Sequence, residues 1–318
     1  PVTVTPSSAS AAFKMPAVAI TDHGNLFGAI RMVEICREKG IRPILGCEVY
    51  VAPGSRLDRT PPREGEKPYH HLILLVESQK GYRNLLKLVS RAYRDGFYYK
   101  PRIDRDLLAE HAGGLIGTSA CLGGEEASRL MRKDEEGAVK AAAGYRDIFG
   151  KESFFLEVQD QGIPEQKEVN RGLAGISRRL GIPRVGSNDC HFLRREDYFA
   201  HQVLVCIQTG KTVKDPERLK YTEEHYFKSP EEMLKIFADL PEAAENTLRI
   251  AERCDFDLEL SGSHLPRFAV PESETVDGYF EKVAWAGFER RRIQWEGLLS
   301  RGLLQNPLDV YRQRLESE

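Results

Sequence analysis

The chain has 318 residues and a mass of 36.0 kDa, with 41% apolar and 30% charged residues. This composition excludes a disordered chain and suffices for one large domain or two ordinary ones with apolar cores. Lys and Arg number 46 against 48 Asp and Glu, so the net charge of −2 gives no overall signal for nucleic acid or an acidic membrane.

Membrane insertion and secretion are excluded as well. No stretch approaches the roughly 18 apolar residues of a membrane span, and the opening PVTVTPSSASAA lacks the basic start and apolar core of a secretory signal. The six cysteines are dispersed without a CxxC pair, which favours a reducing compartment. We predict a cytoplasmic protein. Because it starts with Pro1 and stops within a helical pattern, we also expect it to be part of a longer chain.

Short apolar runs alternate with helical patterns over the first two-thirds of the chain. The runs are rich in Val, Ile, Leu or Phe and are bounded by Gly, Pro or charge, as is typical of buried parallel strands. They span residues 17–21, 42–51, 71–77, 114–119, 154–159 and 184–189. The helical patterns span residues 25–39, 80–94, 134–149 and 165–180. This alternation predicts a parallel sheet with helices outside it, either a closed barrel or a doubly wound sheet.

From about residue 195 onwards only helical patterns remain. Ser229 and Glu232 form a capping box, with Pro230 at the first helical position. Helices are predicted over residues 230–238, 241–254, 275–299 and 307–318, and the Pro- and Ser-rich residues 260–275 indicate a linker.

Residues of the types that bind metal ions stand at the ends of the predicted strands. They are Asp22 and His23, Cys47 and Glu48, His70 and His71, Cys121, and the run Asp189, Cys190 and His191. In a parallel α/β barrel the strand ends on one face surround a single pocket. Imidazole, thiolate and carboxylate groups are the donors that Zn²⁺ and Mn²⁺ take in proteins. The pattern therefore favours a metal site.

Several of these residues have a purely structural alternative. Asp22 can cap the next helix from a turn, and Cys121 alone is typical of a core position. Asp189 and His191 share a face of an extended segment, where they could simply be a hydrogen-bonded pair. Glu48 beside an apolar strand is harder to explain in this way, because a buried carboxylate needs a cation or a donor.

Other polar residues carry weaker signals. Of His70 and His71 only one can face the site, because neighbours on a strand point to opposite sides. Four further histidines are expected at the surface or at helix caps: His111, His201, His225 and His264. The segment GFYYKPRID at 96–104 sets three aromatic residues beside Lys100 and Arg102, which could stack on and neutralise nucleic acid. Its short length favours a loop with a Pro-restricted turn instead.

Seven segments occur in this order: AVAITDHGNLFGAI, RPILGCEVYVA, YHHLILLVES, GYRNLLKLVS, GFYYKPRID, GTSACLGGE and SNDCHFLRRED. Together they resemble the polymerase and histidinol phosphatase (PHP) domain of bacterial DNA polymerase III alpha subunits. The later LPRFAVPESETVDGYFEKVAWAGFERR resembles the segment that leads from this domain into the polymerase body. The resemblance covers about residues 15–318.

The resemblance implies an α/β fold, a distorted (β/α)₇ TIM-like barrel at residues 16–262. A linker and helices at 263–318 would lead towards the polymerase palm, which is not among these residues. The family barrel holds up to three metal ions, Zn²⁺ or Mn²⁺, on nine ligands, of which Glu48 would bridge two ions. Matching the motifs residue by residue gives six metal ligands: His23, Glu48, His71, Cys121, Asp189 and His191.

The implied chemistry is metal-assisted phosphodiester hydrolysis, which in some family members trims a primer end as a 3′–5′ exonuclease. DNA synthesis itself would use Mg²⁺ in the palm of the longer protein. The implied partners are DNA, the polymerase core and a proofreading subunit.

The atypical segment at residues 1–15 departs from the family pattern. The family begins with a strand carrying an HxHxH motif, whereas this segment has no histidine and no acid. We therefore expect the first strand and helix of the family to be replaced or missing here, which would leave an open sheet edge. PVTVT could form a substitute strand. We expect weak or absent nuclease activity. Three hypotheses follow: a PHP module of a replicative polymerase, a stand-alone phosphoesterase of the histidinol phosphatase type, and a catalytically dead docking barrel.

Overall fold

A computed structural model describes residues 6–62, 66–219, 221–260, 262 and 266–318. The chain divides into two compact units, Pro1–Leu258 and Glu259–Glu318. All described strands belong to the first unit, and the second unit consists of a connecting segment and two helices.

The six predicted strands are confirmed, and two short strands appear in addition. The strands are β1 (Ala17–Ile20), β2 (Arg42–Val51), β3 (His70–Val76), β4 (Phe97–Tyr98), β5 (Lys100–Ile103), β6 (Leu115–Thr118), β7 (Phe154–Gln159) and β8 (Arg184–Ser187). The expectation of a loop at 96–104 is wrong, because β4 and β5 pair antiparallel around Tyr99. β4 has only two residues, and β5 contains Lys100, Pro101 and Arg102, so neither strand has the apolar run that marks the six predicted strands.

The strands form one curled sheet in the order β4-β5-β2-β3-β6-β7-β8, with β1 on β2. The first half of β2 carries β1, in the register Ala17↔Arg42, and its last two residues carry β5. Among the described residues β8 and β1 do not pair, so this part of the sheet remains open. The fold class predicted from the sequence, a distorted α/β barrel with a helical extension, is confirmed.

The expectation that all strands run parallel is wrong at β3, which is antiparallel to both β2 and β6. A parallel neighbour of β2 would require a crossover, usually a helix. Residues 52–69 connect β2 to β3, and their described part contains no helix. The chain therefore turns back and pairs with the strand it has just left.

The predicted helices are confirmed with shifts of a few residues at their ends. The helices are α1 (Pro6–Ala12), α2 (Ala29–Lys39), α3 (Gln79–Arg94), α4 (Arg105–His111), α5 (Glu125–Met131), α6 (Glu135–Phe149), α7 (Pro164–Leu180), α8 (Tyr198–Thr209), α9 (Pro230–Ile236), α10 (Pro241–Arg253), α11 (Val276–Ser300) and α12 (Leu308–Ser317). The capping box of Ser229 and Glu232 is confirmed at the start of α9. Four helices of the first unit were not predicted: α1, α4 and α5, which have seven residues each, and α8, which has twelve.

The helix α1 packs on α2. Ser7 and Ser10 of α1 are fully buried. The Ser7 hydroxyl donates to the Met32 sulfur at 3.0 Å and accepts from the Cys36 thiol at 3.5 Å. A helix therefore covers α2 within the atypical segment. The substitute strand considered at PVTVT lies outside the described residues.

The two faces of the sheet carry different side chains. Leu72, Leu74 and Leu156 are fully buried on the face covered by helices, and each such burial contributes about 1.5–3 kcal/mol. On the opposite face Ile44 and Leu75 pack against α10. Alternation along β2 puts Glu48 on the same face as Ile44, and along β3 it puts His71 on the same face as Leu75. This second face is thus apolar at one end and polar at the other.

The second unit is built around a row of aromatic side chains. The Phe288 ring packs edge-to-face against Trp285 and Trp295, at centroid distances of 5.8 and 5.6 Å, and Trp295 stacks on Tyr311 at 5.3 Å. The described residues of the predicted linker at 260–275 form neither helix nor strand. None of the helices in the described ranges combines the length and apolarity needed to cross a membrane.

Candidate metal centre

Glu48 is the central residue at the polar end of the second sheet face. Its side chain is only 6% exposed, and its Oε1 atom lies 2.8 Å from Nδ1 of His23 and 2.8 Å from Nδ1 of His71. Leaving such a carboxylate without partners would cost several kcal/mol. Two imidazoles from separate elements satisfy it here.

The loop after β1 brings His23 to Glu48. The parallel pairing of β1 and β2 continues into this loop, where Glu48 N–H donates to the Asp22 carbonyl at 3.0 Å and Gly24 N–H donates to the Glu48 carbonyl at 2.8 Å. Asp22 accepts from the Gly28 amide at 3.1 Å, beside the start of α2. Asp22 therefore has the structural role in a turn that was the alternative to metal binding. His23, the next residue, reaches the cluster.

Cys121 and Gly123 support His71 from the loop after β6. The Cys121 sulfur lies 3.7 Å from His71 Nδ1, and His71 N–H donates to the Gly123 carbonyl at 3.0 Å. A Cβ atom on Gly123 would come within 2.7 Å of the His71 ring, a distance that requires the ring to shift. Because Gly123 of the CLGG motif has no side chain, it leaves space for this histidine.

Asp189 and His191 enter from the segment after β8. Asp189 has φ of +46°, so the backbone is left-handed here and not extended as expected. The Asp189 Oδ1 atom lies 3.8 Å from His191 Nδ1, and the rings of His191 and His23 are 6.0 Å apart. Cys190 points away, with its sulfur 3.6 Å from the Tyr226 carbonyl. All six predicted ligand residues thus lie in one cluster.

The cluster concentrates negative charge at Glu48. Burial raises the pKa of Glu48, but hydrogen bonds and charge from His23 and His71 outweigh burial and lower that pKa to about 2. The hydrogen bond to Glu48 in turn raises the pKa of His23. Burial, with repulsion from Glu48, raises the pKa of Asp189 to about 6 and the pKa of the Cys121 thiol well above its usual value. A cation at this position would relieve that repulsion.

The donor chemistry of the cluster fits a borderline divalent cation such as Zn²⁺ or Mn²⁺, because imidazole nitrogen, thiol sulfur and carboxylate oxygen are all present. Across the ranges that the structure describes, however, no three of these groups stand in a geometry that holds a metal ion. His23 and His71 direct Nδ1 to one Glu48 oxygen. Coordination would replace these hydrogen bonds.

The sequence did not predict a cluster of rings around His191. The centroids of Tyr221, His201 and His225 lie 4.3, 5.5 and 5.7 Å from the His191 ring. The surface or cap expectation is wrong for His225, which is 2% exposed and whose pKa is lowered by burial to about 4. The Asn188 side chain donates to two carbonyls of the 221–226 segment and holds it here. No spacing in the sequence predicts that the 221–226 segment comes back to His191.

His70 and His111 lie away from Glu48. His70 is on the opposite side of β3, where burial lowers its pKa to about 4. His111 is in the last turn of α4, as expected of a cap histidine. His264 lies outside the described residues.

A buried carboxylate also lies below the cluster on β7. Glu157 is 7% exposed and accepts hydrogen bonds from Thr118, Ser187 and, at 2.8 Å, the Gln159 amide. These donors lie on β6, β7 and β8, so the hydrogen-bonded carboxylate links three neighbouring strands. The predicted run FFLEVQ contains this glutamate, but its buried position gave no separate signal.

The comparisons with known proteins agree with the resemblance found in the sequence. Residues 7–161 match the family described as PHP domain. DNA polymerase III subunit alpha of Treponema pallidum (strain Nichols) is 43% identical over 288 residues, covering 90% of this chain and 24% of the relative. The proteins of the same description in Borreliella burgdorferi and Thermus aquaticus are 45% and 44% identical, each covering 87% of this chain and 24% and 23% of the relative. The chain thus spans about a quarter of the length of these relatives.

Proposed function

The chain belongs to the PHP domain family of bacterial DNA polymerase III alpha subunits, and from this premise we propose that it serves as the metal-binding PHP module of such a polymerase. The observation that carries the proposal is the Glu48 carboxylate shared by two imidazoles. A buried acid whose pKa is held at about 2 is ionised at neutral pH, and nitrogen and sulfur donors surround it. The proposed ligands are His23, Glu48, His71, Cys121, Asp189 and His191.

The reaction proposed for this centre is phosphodiester hydrolysis at a 3′ end. A bound Zn²⁺ or Mn²⁺ ion supplies Lewis acidity towards phosphate and a water of lowered pKa. The His23 side chain is 53% exposed, so substrate reaches the cluster from its side, while Glu48 and Cys121 hold the inner side. Because residues 1–15 contribute no histidine and no acid, we propose a weak activity.

At the level of the longer protein, we propose a role in DNA-templated DNA synthesis during replication in the cytoplasm. The partners would be DNA, the polymerase core and a proofreading subunit. No residue of this chain is assigned to nucleotidyl transfer, for which the family uses Mg²⁺ elsewhere.

A catalytically dead docking barrel is the second candidate. It is favoured by the finding that, among the described residues, no three donors take a metal-binding geometry. A stand-alone phosphoesterase of the histidinol phosphatase type is the third, and it lacks a supporting observation of this kind. Metal content separates the first two.

The test is elemental analysis of purified, chelator-washed protein after re-exposure to Zn²⁺ or Mn²⁺. We expect about one equivalent or more of metal in the unchanged protein and its loss in Glu48→Gln, which keeps the shape of the side chain and removes the charge. Glu136→Gln is the matched control, because Glu136 is exposed and pairs with Arg179 at the surface. Absence of bound metal in the unchanged protein would contradict the proposal and leave the docking barrel.

A further inference from the structure

The turn between β4 and β5 holds a bulky residue in an unfavourable backbone conformation. Phe97 pairs with Pro101 and Tyr98 pairs with Lys100, which leaves Tyr99 alone at the tip with φ of +59°. Aromatic residues rarely adopt this left-handed region, where glycine fits without strain. The Tyr99 side chain is also 66% exposed, so burial in the core does not explain its position.

Tyr99 is one of four aromatic residues that form two contacting pairs at and beside this hairpin. Its ring packs edge-to-face on Tyr98 at 4.5 Å, and Tyr93 and Phe97 pack together at 6.2 Å. Tyr93 and Phe97 are 45% and 48% exposed. We call these four residues the aromatic turn. Clustered large rings in solvent are unusual unless something covers them.

The aromatic turn lies directly beside the cluster around Glu48. A Cβ atom on Gly24, the residue after His23, would be 3.0 Å from Pro101 of β5 and 3.0 Å from Tyr50. The Tyr50 ring is 5.4 Å from the His71 ring, and the Lys100 ammonium lies 5.6 Å above Tyr50. The loop bearing His23 therefore approaches the hairpin at Pro101, and the loop and Lys100 both lie beside Tyr50.

Arg102 anchors the hairpin of the aromatic turn through hydrogen bonds to the backbone. It is 3% exposed, and its guanidinium donates to the backbone carbonyls of Gly96 at 3.2 Å and Arg56 at 3.0 Å. This placement argues against the alternative that Arg102 neutralises nucleic acid, because its hydrogen bonds are used within the fold. Lys100 is the cation that remains at the surface of this hairpin.

We propose that the aromatic turn and Lys100 bind the 3′-terminal nucleotides of single-stranded DNA and direct that end to the cluster at Glu48. The choice of DNA and of its 3′ end rests on the proposed function. Flat aromatic rings stack on unpaired bases of any sequence, and an adjacent ammonium neutralises a backbone phosphate. A base-paired duplex hides the faces of its bases and would not use this surface.

The first test measures binding of a 5′-labelled oligothymidylate of about twelve nucleotides by fluorescence anisotropy, with chelator present so that metal chemistry does not contribute. Tyr99→Gly removes the ring and suits the left-handed backbone, so it should fold at least as well. We expect its Kd to rise about tenfold, while Tyr99→Phe stays within about twofold of the unchanged protein. Phe199→Ala, which removes an exposed ring on α8, is the control and should leave Kd unchanged. Unaltered binding by Tyr99→Gly would overturn the proposal.

The second test places 2-aminopurine, whose fluorescence falls on stacking, at the 3′ or the 5′ terminus of the oligonucleotide. We expect quenching at the 3′ terminus that disappears in Tyr99→Gly. Equal quenching at both termini would overturn the assignment of the 3′ end. Metal content is measured on the unchanged protein and oligonucleotide binding is measured in chelator, so a failure of the metal proposal and a failure of this one give different results.

Discussion

Glu48 Oε1 lies 2.8 Å from Nδ1 of His71, and this contact joins two adjacent antiparallel strands, β2 and β3. The same oxygen lies 2.8 Å from Nδ1 of His23, which comes from the loop after β1. One buried carboxylate thus positions two imidazoles from different elements. The arrangement depends on Glu48 being ionised, and that dependence can be measured.

The stability of metal-free protein should depend on the charge of Glu48. Its pKa is about 2 in the folded state against 4.5 for a free side chain, so the stabilisation is present above pH 4.5 and is lost as pH falls towards 2. We expect Glu48→Gln to be less stable by about 2–3 kcal/mol at neutral pH. Urea unfolding in chelator at about pH 7 and about pH 3 measures this. A difference between the two proteins that is the same at both pH values would contradict the prediction.

Gly123→Ala should displace His71 while leaving the fold intact. The added Cβ would meet the ring at 2.7 Å, so the ring must shift, and a shift alters its 2.8 Å contact with Glu48. We expect about a tenfold or greater loss in Zn²⁺ affinity, comparable to the loss of a supporting contact in other metal sites. Competition with a chromophoric chelator gives the affinity. Gly175→Ala on α7 is the control, because nothing lies within 4 Å of its Cβ position.

The apolar runs and helical patterns predicted an α/β sheet with candidate ligands at its strand ends, because both depend on short-range features. The resemblance to the PHP domain then narrowed the fold to a distorted barrel and the candidates to six residues. His23 and Glu48 follow or end apolar runs, and the ends of neighbouring strands meet in space. The direction of β3 could be read only from the lack of a helical pattern between residues 51 and 71. The burial of His225 depends on a segment that returns to His191 over more than thirty residues, and no local periodicity encodes such a return.

Arg102→Lys should destabilise the barrel although the charge is kept. The guanidinium reaches backbone carbonyls on both sides of the hairpin, including Asp58 at 2.6 Å, and a lysine ammonium cannot span them. Leaving the carbonyl of the buried Gly96 without its donor costs about 1–3 kcal/mol. Thermal unfolding of this variant should show a lower Tm, whereas Arg94→Lys, at an exposed position, should not. Equal Tm values for the two variants would show that Arg102 does not act in this way.

Two adjacent acids on α5 should respond to pH in opposite directions. Glu125 is paired with Arg105 at 2.8 Å and Arg129 at 2.9 Å, and its pKa is lowered because these partners outweigh burial. Glu126 is fully buried, and within the described part of the chain neither of its carboxyl oxygens has a hydrogen-bond partner from another residue. Burial raises the pKa of Glu126 to about 8.

A carboxyl group with a folded pKa of about 8 and an unfolded pKa of 4.5 keeps its proton longer in the folded protein. Its effect on stability is therefore absent below pH 4.5 and becomes increasingly unfavourable as pH rises to about 8. Glu126→Gln is neutral throughout, so we expect it to gain about 3 kcal/mol relative to the unchanged protein between about pH 5 and pH 8. Glu125→Gln loses ion pairs and should be less stable at neutral pH. Urea unfolding of all three proteins across this range tests both signs, and a parallel pH dependence for Glu126→Gln and the unchanged protein would show that Glu126 is ionised in the fold.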